Sequence, residues 1–268
     1  MKIPRNLLVH GALGALLLLT LPGCGGKSSS GTRSTGTQIP EQTLDAAAQQ
    51  AASVALSSGT LGLARGLVVG QFGPRPGSHR PRPAAAGRVD SDSVSYSYTA
   101  HVYGLEGQEL DWNTATAEQI SHVTIAWEFY SRSSSDSLSY LMHWTDTFDF
   151  SGFSSSQSRW VVSGTGTWLW DWDQIFEAYH WIWHVLGEHT INTVAFEKSG
   201  TPTYPVAGSI TQHLNLAWND TWGSQHDTGN VTVDAVLTFN GTRTAALVVD
   251  GVHYVVDLET GVATRVRT

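Results

Sequence analysis

Apolar and polar residues alternate along the C-terminal end of the chain. Every second residue from Val231 to Phe239 is apolar, which is the period of a β-strand with one buried face. Asn240-Gly241 and Asp250-Gly251 interrupt the pattern, and both dipeptides are typical of tight hairpin turns because they tolerate positive φ angles. A third turn at residues 259–261 precedes a last short run. This pattern predicts an antiparallel meander of four strands.

The same alternation predicts six more strands upstream, and the links between them are rich in Ser, Gly and Pro. These strands are predicted over residues 94–103, 122–130, 137–148, 159–170, 190–198 and 209–218. No helical crossover separates them. A meander of about ten strands favours an antiparallel barrel, or a curved half-barrel with a helix across its open side. We therefore expect a mainly β domain over residues 90–268.

Residues 173–186 fit two structures. Ile175, Tyr179 and Ile182 have helical spacing, whereas a strand would place Tyr179, Trp181 and Trp183 on one face. The aromatic and β-branched flanks and the surrounding meander favour the strand.

The N-terminal third does not have the pattern of a folded domain. Residues 24–89 are predicted to form a tether, which starts with a flexible Gly/Ser/Thr-rich spacer at residues 25–36. A short helix is predicted at about residues 41–57, where alanines and leucines of high helix propensity cluster. The Pro/Arg-rich residues 74–83 then predict an extended linker, because proline lacks an amide donor and restricts its neighbours.

Charge divides the chain at the same place. Residues 1–89 hold nine Lys/Arg and two Asp/Glu, whereas residues 90–268 hold six Lys/Arg and twenty-one Asp/Glu. Of the aromatic residues, all but Phe72 lie between Tyr96 and Tyr254. An acidic, Trp-rich domain argues against nucleic acid as a partner, because phosphate groups repel it.

The first residues have the composition of an export signal. Lys2 and Arg5 give a positive start, and an apolar stretch follows over residues 7–21. That stretch is too short and too rich in glycine for a membrane span, which needs about 20 apolar residues. The only cysteine of the chain, Cys24, comes directly after it.

Leu21-Pro22-Gly23-Cys24 resembles the lipobox of bacterial lipoproteins, although Pro22 is less usual at its position. The resemblance implies that residues 1–23 are removed and that Cys24 carries a diacylglyceryl group, so the membrane is a partner through acylated Cys24. The alternative is an ordinary signal peptide followed by an incidental cysteine, which would leave an unpaired thiol in an exported protein. In the sorting rule of lipoproteins from bacteria with two membranes, Asp after the cysteine retains the protein in the inner membrane. Gly25 stands at that position, so the resemblance implies the outer membrane of the cell envelope.

The strand segments around residues 204–211 and 236–242 resemble those of uncharacterised envelope β-domain lipoproteins, from which no residue role follows. A candidate binding surface comes instead from the tryptophans. Trp168, Trp170 and Trp172 have the spacing of a ladder on one sheet face, and Trp181 and Trp183 are predicted to pair across from them. Such a row would stack sugar rings or line an apolar ligand site. The alternative is a packed core.

Other candidate chemistry is weaker. His180, His184 and His189 are candidate metal ligands, but the His-x-x-x-Glu-His spacing has one residue more than the inverted zincin motif. Asp146 and Asp149 would imitate the carboxylate pair of a glycosidase, and no nucleophile elbow is present. We expect a protein that is not an enzyme and needs no cofactor. It would bind an apolar or amphipathic ligand, bind a glycan or protein through an exposed Trp face, or be structural with a filled core.

Replacing Cys24 by serine removes the lipid acceptor predicted by the lipobox. We expect Cys24→Ser to move the protein from the membrane fraction to the soluble fraction, because acyl chains supply the membrane affinity. Cell fractionation with immunodetection measures this, with Ser28→Ala in the neighbouring spacer as the control. Persistent membrane association of Cys24→Ser would contradict the anchor.

Overall fold

The computed structural model describes residue 39 and residues 41–56, 93–111, 114–198 and 204–267. The predicted signal peptide, Cys24, the spacer and the Pro/Arg-rich linker lie outside these residues. One helix, α1, spans Glu41–Leu56, as the alanine-rich segment predicts. The strands are β1 (Ser93–Gly104), β2 (Glu109–Leu110), β3 (Ile120–Ser134), β4 (Leu138–Ser151), β5 (Arg159–Phe176), β6 (Tyr179–Glu197), β7 (Ala207–Trp222), β8 (Gln225–Thr238), β9 (Thr244–Val249), β10 (Val252–Asp257) and β11 (Ala263–Arg265).

These strands form one antiparallel sheet in the order β11-β10-β9-β8-β7-β6-β5-β4-β3-β1-β2. Strands that follow one another in the chain are neighbours in the sheet, with one exception. β2 pairs with the free edge of β1, and β1 pairs with β3 on its other edge. The prediction of a mainly β meander with one short N-terminal helix is confirmed. The sheet is curved and open, so the half-barrel alternative is correct and the closed barrel is not.

The ambiguous residues 173–186 are strand. They complete β5, turn at Glu177 and Ala178, and begin β6. Glu177 adopts a positive φ of 54°, as such a tight hairpin turn requires. The strand therefore continues directly into the strand predicted at 190–198, and β6 reaches 19 residues.

Alternation along each strand gives the sheet two unlike faces. The face that carries α1, called the inner face below, holds the apolar core. The opposite outer face is mainly polar, with Thr, His, Asp and Glu at alternate positions of β3 to β8. The largest fully buried side chains of the core are Phe148, Phe196, Ile210, Leu214, Leu237 and Leu247.

Helix α1 packs on β7 to β11. Its buried side is mostly alanine, and these small side chains let the helix approach the sheet closely. Polar contacts fix its position: the Gln212 side-chain amide donates to the Ala51 carbonyl (3.0 Å), and the Tyr254 hydroxyl donates to Asp45 (2.8 Å). Gln49 also bonds the backbone before and within β11. No helix among the described residues has the length and apolar character needed to cross a bilayer.

Candidate ligand-binding face

Four aromatic side chains form a line across the inner face. Tyr140, Trp172, Trp183 and Trp218 lie directly opposite one another on β4, β5, β6 and β7, and we call them the aromatic row. Tyr140 stacks on Trp172 with ring centroids 6.0 Å apart, and Trp183 stacks on Trp218 at 6.3 Å. All four side chains are partly exposed. The row therefore combines neighbouring aromatic rings with access to solvent.

Hydrogen bonds hold the three indoles of this row. The indole N–H groups of Trp172, Trp183 and Trp218 donate to Gln174 (3.2 Å), Asp220 (3.1 Å) and Asp227 (3.3 Å). These acceptors belong to the next row towards the hairpin ends, the tip row, which consists of Leu138, Gln174, Trp181, Asp220 and Asp227. With the polar edge of each indole already bonded, the exposed apolar parts of the rings remain as the contact surface.

Apolar residues extend the surface from the aromatic row towards the core. Met142, Trp170, Val185, Leu216 and Val231 lie in register on five adjacent strands and form the apolar row. Trp170 is only 8% exposed, and Trp168 in the row beyond it is 4% exposed.

The sequence-predicted tryptophans share one face, but only part of their predicted pairing is correct. Trp168, Trp170 and Trp172 all lie on the inner face, and Trp172 pairs directly with Trp183. Trp181 lies opposite Gln174 rather than a tryptophan. The cross-strand partners of Trp168 and Trp170 on β6 are Gly187 and Val185. The turn at Glu177 and Ala178 sets this register, and the sequence does not reveal where that turn falls.

Two glycines make room for tryptophan rings. A Cβ atom on Gly187 would lie 2.3 Å from the Trp168 indole, and one on Gly229 would lie 2.1 Å from the Trp218 indole. Real side chains do not tolerate such distances, so each indole lies flat over a strand that carries no side chain there. Glycine in a strand interior is unfavourable by itself and commonly marks a close approach of this kind.

A second kind of row interrupts the apolar inner face. Asp146, Gly166, His189 and Gln212 lie in register on β4 to β7 and form the polar row. The Asp146 and His189 side chains meet across β5 with Oδ1 and Nε2 3.0 Å apart, and both side chains are fully buried. A Cβ atom on Gly166 would lie 1.9 Å from Asp146 Oδ1. The pair therefore occupies the space that a larger residue at 166 would fill.

The polar row is electrostatically unusual. Burial raises the pKa of Asp146 above its ordinary value, and the neighbouring His189 and Trp144 side chains partly oppose that rise. Buried polar atoms around the pair lack well-aligned hydrogen-bond partners. They are the carboxylate oxygens of Asp146, both ring nitrogens of His189, the Gln212 side-chain oxygen and the indole nitrogens of Trp144, Trp168 and Trp170. Such a cluster is costly in an apolar core.

A second perturbed carboxyl group lies at the hairpin ends. Partial burial raises the pKa of Asp220 to about 6, and the facing carboxylate of Asp227 adds to the rise. The hydrogen bond from the Trp183 indole works in the opposite direction. Asp220 and Asp227 are direct cross-strand neighbours, and like charges in that position repel.

The structure does not bring the three candidate metal ligands together. His180 and His184 lie on the outer face, paired with Asp173 and Asp171, while His189 is buried on the inner face. Across the described residues no group of three potential metal ligands forms. Asp146 and Asp149 likewise point to opposite faces, because they lie three positions apart on one strand.

The buried Asp146–His189 pair gives a test of the polar row. Asp146→Leu and His189→Leu each leave one buried group without its partner, so we expect each to lower the free energy of unfolding by about 3–5 kcal/mol. The double variant removes both polar groups and should be more stable than either single variant. Urea unfolding measures all three. A double variant that loses the sum of the two single effects would contradict a coupled pair.

Asp220 predicts a dependence of stability on pH. Its folded-state pKa of about 6 lies above the ordinary 3.8, so the folded protein favours the protonated carboxyl. The free energy of unfolding should therefore fall as pH rises from about 3.8 to about 6, because the unfolded chain releases this proton at a lower pH than the folded protein does. Asp220→Asn should be less sensitive to pH there, while still accepting the bond from Trp183. Urea unfolding at several pH values measures both slopes, and equal slopes would disprove the assignment.

No family model matches this chain, and neither the curated proteins nor the solved structures contain a significant match to it.

Proposed function

We propose that this protein is a lipid-anchored, non-catalytic lipoprotein of the bacterial cell envelope that binds an amphipathic ligand on its inner face. The observation that carries the proposal is the partly exposed aromatic row, whose three indoles are held in place by hydrogen bonds. The lipobox-like sequence at residues 21–24 and the Gly/Ser/Thr-rich composition of the residues behind it support attachment of the domain to a membrane.

The rows of the inner face match the two ends of an amphipathic molecule. The aromatic row, with Met142 and Val231 as the partly exposed members of the apolar row, supplies apolar surface that suits an alkyl chain. The tip row then offers Gln174, Asp220 and Asp227 to a polar group. These acceptors favour a head group that donates hydrogen bonds, and the two carboxylates disfavour an anionic one.

A glycan is the second candidate ligand, and one observation favours it. Aromatic faces beside hydrogen-bond acceptors are also the chemistry that holds a sugar ring, which stacks its C–H groups and donates its hydroxyls. The aromatic row supplies the rings for stacking, and the three acceptors of the tip row supply the hydrogen-bond partners for the hydroxyls.

Tryptophan emission of the purified protein distinguishes these candidates. We expect 1-monolauroylglycerol to change the emission saturably, because its chain covers indoles of the inner face, whereas maltohexaose should not. Trp183→Leu should weaken binding about tenfold, the effect of losing part of one large apolar contact. Tyr130→Leu on the outer face is the matched control and should bind as the unmodified protein does.

The other outcomes each overturn the proposal. Binding of maltohexaose but not of the monoacylglycerol would establish the glycan candidate. A response to neither probe would indicate a filled, structural inner face. Equal weakening by Trp183→Leu and Tyr130→Leu would show that the probe binds elsewhere.

A further inference from the structure

A depression of about 370 Å³ lies at the centre of the sheet, over β4, β5 and β6. It is lined by Asp146, Gly166 and His189 and by the residues that flank them along the strands, which are five threonines and Glu188. The Asp146 and His189 side chains are fully buried on the inner face, so these two residues contribute only backbone to the lining. The threonines and Glu188 alternate with them and therefore face the outer side. The depression is thus separate from the aromatic row.

The outward side chains form a regular grid. Thr147, Thr165 and Thr190 lie opposite one another on the three strands, and Thr145, Thr167 and Glu188 form the second row. Adjacent strands are about 4.8 Å apart, and rows two residues apart are separated by about 7 Å. A ring-shaped ligand of low molecular mass therefore meets several of these groups at once.

Most hydrogen-bonding groups of the grid are unused. Thr145 and Thr167 bond each other with their oxygens 2.8 Å apart. Within the described part of the chain, the hydroxyls of Thr147, Thr165 and Thr190 and the carboxylate of Glu188 have no protein partner. Four groups with free hydrogen-bonding capacity therefore converge on one depression.

Glu188 also differs from the carboxylates around it. Elsewhere on the outer face, cross-strand hydrogen bonds with histidine rings occupy the carboxylates of Glu128 (3.0 Å), Asp173 (2.8 Å) and Asp234 (2.7 Å). The Glu188 carboxylate is exposed and unpaired at the edge of the depression. It is therefore available to a ligand from solvent.

We propose that this depression is a second binding site, which takes a neutral sugar ring. Threonine hydroxyls both donate and accept hydrogen bonds, and a carboxylate only accepts, so the ligand must offer hydroxyl donors. Glu188 and the negative domain disfavour an anionic ligand. The threonine methyl groups contact the C–H groups of the ring. The volume of the depression lies within the range of small-ligand sites.

Nuclear magnetic resonance of the isotope-labelled full chain tests the site with methyl glucoside, methyl mannoside and N-acetylglucosamine at millimolar concentrations. We expect saturable shifts for at least one sugar at the backbone amides of residues 145–147, 165–167 and 188–190. Glu188→Gln should weaken that binding about tenfold, because bonds to a charged group are the stronger ones. Thr165→Val, which keeps the side-chain shape and removes one hydroxyl, should weaken it several-fold.

Thr232→Val, on the same face but on β8, is the control and should bind as the unmodified protein does. The absence of saturable shifts with all three sugars would overturn the proposal. Sugar-induced shifts at the inner-face indoles instead of the grid would also overturn it. So would shifts at the grid on addition of calcium chloride when no sugar produces any, since they would indicate a cation site at Glu188. None of these results depends on whether a monoacylglycerol binds the aromatic row.

Discussion

Antiparallel register from β3 to β8, which shifts only between Val162 and Gly164 and between Asn192 and Ala195, is the constraint on which the rest of the structure depends. Each strand pairs with its chain neighbour over 13 or more residues, so residues far apart in sequence fall into straight rows across the sheet. The aromatic row, the polar row and the threonine grid are all products of that register. A shift of one residue in any of these strands would move its side chains to the opposite face.

An open sheet with one apolar face needs a cover, and α1 supplies it over β7 to β11. The buried amide of Gln212 joins the two layers, because it belongs to the polar row and donates to the Ala51 carbonyl of the helix. Towards the hairpin ends of β4 to β7, the inner face carries tyrosine and tryptophan. Aromatic side chains tolerate partial exposure better than aliphatic ones, since their edges carry a polar group that bonds at the surface.

Local features of the sheet were predictable from the sequence, and its cross-strand rows were not. Asn240-Gly241 and Asp250-Gly251 identify their turns because the backbone there requires residues that accept positive φ, and both glycines do so. The short edge strand β2 has no such signal. The Asp146–His189 contact joins two strands through a glycine on a third, and no periodicity within one strand encodes it. The sequence predicts Trp181 opposite a tryptophan because it does not show where the turn before β6 falls.

The two proposed sites use opposite faces of β4, β5 and β6, with the aromatic row extending onto β7, and they differ in chemistry. The inner face is aromatic and apolar with acceptors at its end, whereas the outer depression consists of hydroxyls and one free carboxylate. Gly166 lies between them: on one side it makes room for the Asp146–His189 pair, and on the other its backbone lines the depression. The pairing of β4, β5 and β6 therefore positions the side chains of both proposed sites.

Photo-crosslinking with a monoacylglycerol that carries a diazirine on its acyl chain tests the central claim most directly, that the inner aromatic face binds an amphipathic molecule. Peptide mapping by mass spectrometry should locate the adducts on Met142, Trp172, Trp183 and their inner-face neighbours, and unlabelled monoacylglycerol should compete for them. Adducts confined to the outer face, or labelling that competitor does not reduce, would contradict the account.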